Sequence, residues 1–87
     1  MATTIYPLPT TWGSTARYTA AGDVDVLLSN PNDDTTIHFE ITTSDTTPTI
    51  NPSASASLTP KLSQSIALAT DDRLWITAAK GYAAVTL

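Results

Sequence analysis

With 87 residues, no cysteine, 14% charged residues and a formal net charge of −4, the chain has room for one domain and no disulfide to staple it. Its four basic residues, Arg17, Lys61, Arg73 and Lys80, lie far apart. They form no stripe able to replace phosphate counterions, which excludes a nucleic-acid partner.

No apolar run approaches the roughly eighteen residues of a membrane-spanning helix. The start, M-A-T-T-I-Y-P-L-P, has neither the basic nor the apolar part of a secretory signal. A complete chain that stays in the cytoplasm where it is made, with no membrane partner, is the expectation. Thr and Ser supply about a quarter of the residues, well above ordinary usage. Thr is β-branched and favours strands, so the composition points to an extended, hydroxyl-coated surface.

Met1 to Thr11 carries Pro7 and Pro9 around Leu8. Prolines at alternate positions fix φ and remove donors, which favours an extended N-terminal arm over a helix or central strand. Stretched out, it reaches about 36 Å. Ile5, Tyr6 and Leu8 are its apolar anchors, either against its own domain or on a neighbouring subunit. As an arm, it is expected to be removable without loss of the fold.

From residue 12 a single all-β domain follows. Trp12-Gly13 is a turn, Arg17–Ala20 a short strand, and Asp23–Ser29 a strand with Val24, Val26 and Leu28 on one side. The Asn30–Asp34 loop has Pro and Asx turn chemistry. It is expected to join Asp23–Ser29 to Thr35–Thr43 as an antiparallel hairpin, with Ile37, Phe39 and Ile41 facing the core. Ser44–Gln64, with Pro48, Pro52 and Pro60, reads as one long loop that either contacts a partner or connects flexibly. Within it, Ser53–Leu58 could pair at a sheet edge.

Ser65–Leu87 reads as three strands cut at Thr70-Asp71-Asp72 and at Lys80-Gly81. The period-two positions Ile66, Leu68, Leu74, Ile76, Val85 and Leu87 complete the predicted core. Six or seven short strands without helical periodicity indicate a small antiparallel β-sandwich or barrel. Burying each core side chain contributes about 1.5–3 kcal/mol, against about 1–2 kcal/mol of backbone entropy per residue. The margin is thin, so burial in an oligomer or on a partner is expected to matter.

No catalytic set emerges. His38 is the single histidine, on the outward side of its strand, with no Gly-x-Ser-x-Gly elbow and no cysteine to serve. An enzyme is not expected. Asp33-Asp34 and Asp71-Asp72 suit turns; calcium is the other reading, but the spacing of a calcium loop is absent. No cofactor or metal is therefore assigned. Trp12, Tyr18, Trp75 and Tyr82 could cover the core edge, bind protein or stack on a sugar. The parity of Trp75, opposite Leu74 and Ile76, points it away from the core. Ile5, Tyr6, Leu8, Trp12, Pro48, Pro52, Trp75 and Tyr82 are the candidate interface residues.

The run Ser65-Ile66-Ala67-Leu68-Ala69-Thr70-Asp71-Asp72-Arg73-Leu74-Trp75-Ile76, followed by Gly81–Leu87, resembles the end of many small bacteriophage virion proteins. Those chains finish with an apolar strand, an acidic turn, an R-L-W-[IL] strand and a last strand rich in Ala, Val and Thr. The resemblance covers about the last quarter of the chain and implies a β-sandwich without catalytic residues. It implies a virion location, made in a host bacterium's cytoplasm, as a capsid decoration (cement) protein bound to the major capsid protein or another virion protein. A homo-oligomer follows from it too, with a trimer favoured. A tail, neck or fibre component, or a carbohydrate-binding receptor-recognition module, is the alternative.

Overall fold

A computed structural model describes residues 2–87. It holds eight strands: β1 (Thr3–Pro7), β2 (Arg17–Thr19), β3 (Val24–Ser29), β4 (Ile37–Thr42), β5 (Ala56–Leu58), β6 (Ser63–Leu68), β7 (Arg73–Thr77) and β8 (Tyr82–Thr86). They form two antiparallel four-stranded sheets, ordered β1-β8-β3-β6 and β2-β7-β4-β5. The sheets stack as an open sandwich, the expected fold class, and do not close into a barrel. One short 3-10 turn, Ser14–Ala16, precedes β2, and another, Pro52–Ala54, precedes β5.

Alternation builds the core. Val26 and Leu28 of β3, Ile66 and Leu68 of β6, and Ala83 and Val85 of β8 face inward from the first sheet. Ile37 and Phe39 of β4, Leu58 of β5, and Leu74 and Ile76 of β7 face them from the second. Val24 is only half-buried and packs on this cluster. Ile41 and Leu87, expected in the core, are 40% and 45% exposed. Ile41 shares the parity of Phe39 but lies towards the sheet's end, while Leu87 falls just beyond β8.

The expected hairpin across Asn30–Asp34 does not form. β3 and β4 belong to different sheets, so Asn30–Thr36 is a corner that carries the chain across the sandwich. β6, β7 and β8 likewise alternate between sheets. Alternating patterns show which face of a strand is buried, but not which strand it pairs with, and the two readings differ only there.

Two corners share one construction. At Thr59–Leu62, Leu62 N–H donates to the Thr59 carbonyl (3.3 Å), Pro60 is second and Lys61 third with φ 67°. This is a type II turn. Lys61 N–H donates to the Asn30 carbonyl and Asn30 N–H to that of Leu62 (2.9 Å each), the bonding of a bulge whose first residue is left-handed. At Ala69–Asp72, Asp72 N–H bonds Ala69, Asp71 has φ 71°, and Asp71 and Asp72 bracket Ala20 in the same way. Each bulge turns the strand out of one sheet and into the other.

The N-terminal segment lies along its own domain, one of its two expected placements, as an edge strand. Thr3–Pro7 pairs with β8 along its length, Thr3 opposite Thr86 and Pro7 opposite Tyr82. Leu8 N–H continues the ladder to Gly81 O, and Pro9 O then accepts from Ala78 N–H at 3.1 Å in the second sheet. The segment straddles both layers, so the sandwich starts at β1 rather than at residue 12. Nor is Ser44–Gln64 one loop: it contains a 3-10 turn, β5 and the start of β6, with β5 on the edge expected for Ser53–Leu58.

One corner ties the layers together. Asn30 is 1% exposed, and its Nδ2 donates to Thr35 O (2.7 Å) and Leu58 O (2.9 Å). Its Oδ1 accepts from Asn32 N (3.1 Å) and Asn32 Nδ2 (2.8 Å). Asn32 in turn donates to Tyr82 O (2.8 Å) and accepts from Tyr82 N (3.1 Å). Asn30→Ala strands two buried carbonyls, each worth about 1–3 kcal/mol. Urea unfolding of this variant is expected to show a loss of about 2–4 kcal/mol, and a loss under about 1 kcal/mol would remove the corner from this role.

Candidate functional site

The outer sides of the two sheets differ. On the second sheet, Arg17, Trp75 and Glu40 lie side by side, and Thr19, Arg73 and Thr42 form the next row. Trp75 does point away from the main core, as its parity indicates, yet it is only 1% exposed. Its Nε1 donates to Thr42 Oγ1 at 2.8 Å, and the Arg17 guanidinium stands 5.1 Å above its ring. Asp45 bridges Arg17 (3.3 Å) and Arg73 (2.9 Å), while Arg73 also donates to Thr43 O at 3.2 Å. Farther along, Trp12 Nε1 donates to Ile50 O at 2.8 Å. The segment between Thr42 and Ile50 is thus pinned at both ends over this side.

Trp12, 8% exposed, and Trp75 therefore hold a loop rather than meet a partner. Tyr6 and Leu8 are half-buried and pack on the core. Burial first, and then the neighbouring Tyr18 charge, push the Tyr6 phenol above its usual pKa. Pro48 and Pro52 are half-buried in the pinned loop and its 3-10 turn. Of the residues singled out from the sequence, Ile5 and Tyr82 are the exposed ones, at 56% and 55%. An aromatic platform for a sugar thus loses both indoles, Tyr18 is half-buried against the core, and Tyr82 is left as its exposed ring.

Ile5 and Tyr82 share the outer side of the first sheet. Ile5 is opposite Ala84, which is opposite Ser29; Thr3, Thr86 and Leu27 form the next row; Pro7 is opposite Tyr82. Leu27, 41% exposed, was missed from the sequence because its neighbour Leu28 fits the core pattern and two adjacent leucines hide the alternation. Ser63, Ser65 and Ala67 of β6 complete the surface. Its charged member is Asp25, opposite Ala67. The result is a patch of Ile, Leu, Tyr, Pro, Ala, Ser and Thr with one carboxylate, Asp25.

His38 lies on the second sheet's outer side between Thr77 and Ser57. It lines an open cleft of about 420 Å³ with Thr10, Asn51, Ser53, Thr77 and Ala78. Its Nδ1 is buried without a partner, while Thr77 Oγ1 donates to Pro9 O. The walls carry hydroxyls and the Asn51 amide, whose Oδ1 accepts from Ser53 N at 3.1 Å and Ser53 Oγ at 3.0 Å.

The paired carboxylates are dispersed as turn residues. Asp33 meets Lys61 at 2.7 Å and Asp34 meets Lys80 at 3.1 Å. Asp72 accepts from Ala69 N at 2.9 Å. The hydrogen bond from Lys80, and then that from Thr35, hold the Asp34 carboxyl below its usual range. Among the described residues, no three His, Cys, Asp or Glu gather as they would around a metal ion.

Among known proteins, the chain matches no family, no curated protein and no solved structure.

The bridge from Asp45 to two arginines is exposed, and exposed pairs are worth about 0–1 kcal/mol. Asp45→Ala is accordingly expected to leave global stability within about 1 kcal/mol of the parent. It should nonetheless speed amide exchange and proteolysis between Thr43 and Ile50. Unchanged exchange there would mean that the loop is held by something other than this bridge.

Proposed function

We propose that this protein is a non-catalytic binding module, a bacteriophage capsid decoration protein that docks the outer side of its first sheet on a capsid subunit. The observation that carries the docking side is the contrast between the two surfaces. One is overlaid by a loop pinned through Trp12 and Asp45; the other leaves Ile5, Leu27 and Tyr82 uncovered on a nearly uncharged plane. Large exposed apolar side chains gathered on one plane mark interaction sites more often than isolated ones do. The virion assignment itself rests on the resemblance of Ser65–Leu87.

The mechanism is mechanical. A two-layer body 19 Å thick and 33 Å long would lie across neighbouring subunits and resist their separation. Four strands and five residues give a plane on the order of 300 Å², well below the roughly 800 Å² per partner of a standard interface. Such a plane binds firmly only when many copies or several contacts act together. A tail, neck or fibre position would use the same surface, and imaging of labelled protein in particles distinguishes these places.

Leu27 sits at the middle of the plane on a central strand, with its side chain outside the core. Leu27→Lys is expected to weaken rebinding to stripped particles by about tenfold or more, the equivalent of about 1.4 kcal/mol, while melting stays near the parent's. Binding unaffected by the lysine would clear this side of the role. Mass spectrometry of purified particles tests the assignment as a whole, and a mature virion without the protein would end it.

A further inference from the structure

The four edges of the sandwich are not equally protected. β2 and β5, the edges of the second sheet, are three residues each. β1 is longer, but the ladder reveals which of its groups face outward. Leu8 N–H bonds Gly81 O and Leu87 N–H bonds Ala2 O, so the even residues of β1 pair with β8 and Thr3, Ile5 and Pro7 present their backbone outward. Pro7 has no N–H to offer there, a common way of blunting an edge.

β6 has no such device. It runs six residues, S-Q-S-I-A-L, with no proline, and no charge between Leu62 and Thr70. The bond from Asn30 N–H to Leu62 O sets the phase of its ladder with β3: Gln64, Ile66 and Leu68 bond to β3, and Ser63, Ser65 and Ala67 direct N–H and C=O away from the sheet. Among the described residues, this is the long edge with an unbroken row of donors and acceptors.

We propose that β6 pairs antiparallel with β6 of a second copy about a two-fold axis, joining the first sheets of two protomers into one eight-stranded sheet. The outward groups limit the pairing to Ser63, Ser65 and Ala67, and centring it on Ser65 uses all three. Ser65 meets Ser65, and Ser63 meets Ala67 of the second copy, with small side chains at each pair.

The ends of the strand select a second copy as the occupant. Lys61 stands at the start of β6, exposed and bridged to Asp33 at 2.7 Å, while Asp71 and Asp23 stand exposed at its finish, where Asp23 Oδ1 accepts from Thr70 N at 2.9 Å. An antiparallel two-fold brings each Lys61 towards the carboxylates at the other strand's finish, which compete with Asp33 for it. The uncharged middle lets two chains of net charge −4 approach without like charges opposed. Leu62, 53% exposed beside the bulge, would be covered by the other strand's far end. The resemblance favours a trimer, but this edge builds a two-fold. The inference stands apart from the capsid reading, although pairing would double the plane available for docking.

Sedimentation equilibrium of the purified protein across a concentration series is the test, with a concentration-dependent dimer expected. Ser65→Pro removes an outward N–H from the centre of the edge and leaves the β3 ladder its own donors. It is expected to raise the dissociation constant about tenfold or more, with the circular dichroism of the parent. Should that variant fail to fold, Ala67→Lys puts a charge on the edge and should act alike. Lys61→Glu should weaken the dimer, and adding Asp71→Lys should restore it. A parent that stays monomeric at millimolar concentration overturns the proposal. So does a dimer indifferent to both edge variants, or an edge variant that affects only particle binding, which would give the edge to another partner.

Discussion

Asn30 holds the two layers in one structure. Its side chain uses both amide protons on carbonyls of the second sheet's strand ends, Thr35 and Leu58, while its backbone closes the bulge that launches β6 in the first. Its oxygen receives Asn32, which clasps both backbone groups of Tyr82 at the start of β8. A buried amide costs little only when every bond is made, and here every one is. Gly81 belongs to the same assembly. At φ 89° a Cβ on it would come within 2.2 Å of Asn32 Oδ1, so the corner requires glycine there for space as well as for backbone freedom.

That corner frees the rest of the structure to be asymmetric. With the layers locked at one end, the second sheet can carry the segment between Thr42 and Asn51 on its outside, held by two indoles and an aspartate between two arginines. The first sheet carries no overlay. Both tryptophans thus stabilise the side facing away from the proposed partner, and the exposed plane is built from smaller side chains. A sheet surface without a concavity suits a protein neighbour better than a small ligand. The cleft beside His38 is open and lacks charged walls.

Much of the layer pattern was legible in the chain, residue by residue. Ile37, Phe39, Ile66, Leu68, Leu74 and Ile76 alternate with polar or small neighbours, and all are buried. The edge position of β5 followed from its small side chains. What could not be read was partnership. Asn30–Asp34 has the residues of a hairpin loop, but the same residues also serve a corner, and only the long-range bonds of Asn30 decide between them. Trp75 showed its parity but not its cover, because that cover comes from Arg17 and Asp45, distant in sequence. Pro7 and Pro9 suggested an extended arm, without deciding between its own domain and a neighbour as its support. In the fold, Pro7 sits where an edge needs no inward donor and Pro9 serves through its carbonyl. The turn at Thr70-Asp71-Asp72 was legible, but the corner at Lys61 was hidden inside Ser44–Gln64, because lysine occupies a position where glycine would have announced the turn.

The alternation of strands between layers has a bearing on folding. Apart from β4 and β5, no two consecutive strands are bonded to each other. β8 lies between β1 and β3, so the first sheet has no interior until the last strand is available. Loop closure must then precede nearly all of the reward, which makes assembly slow for so small a body. Until β8 docks, β1 has no strand partner and β3 and β6 form only a two-stranded ribbon.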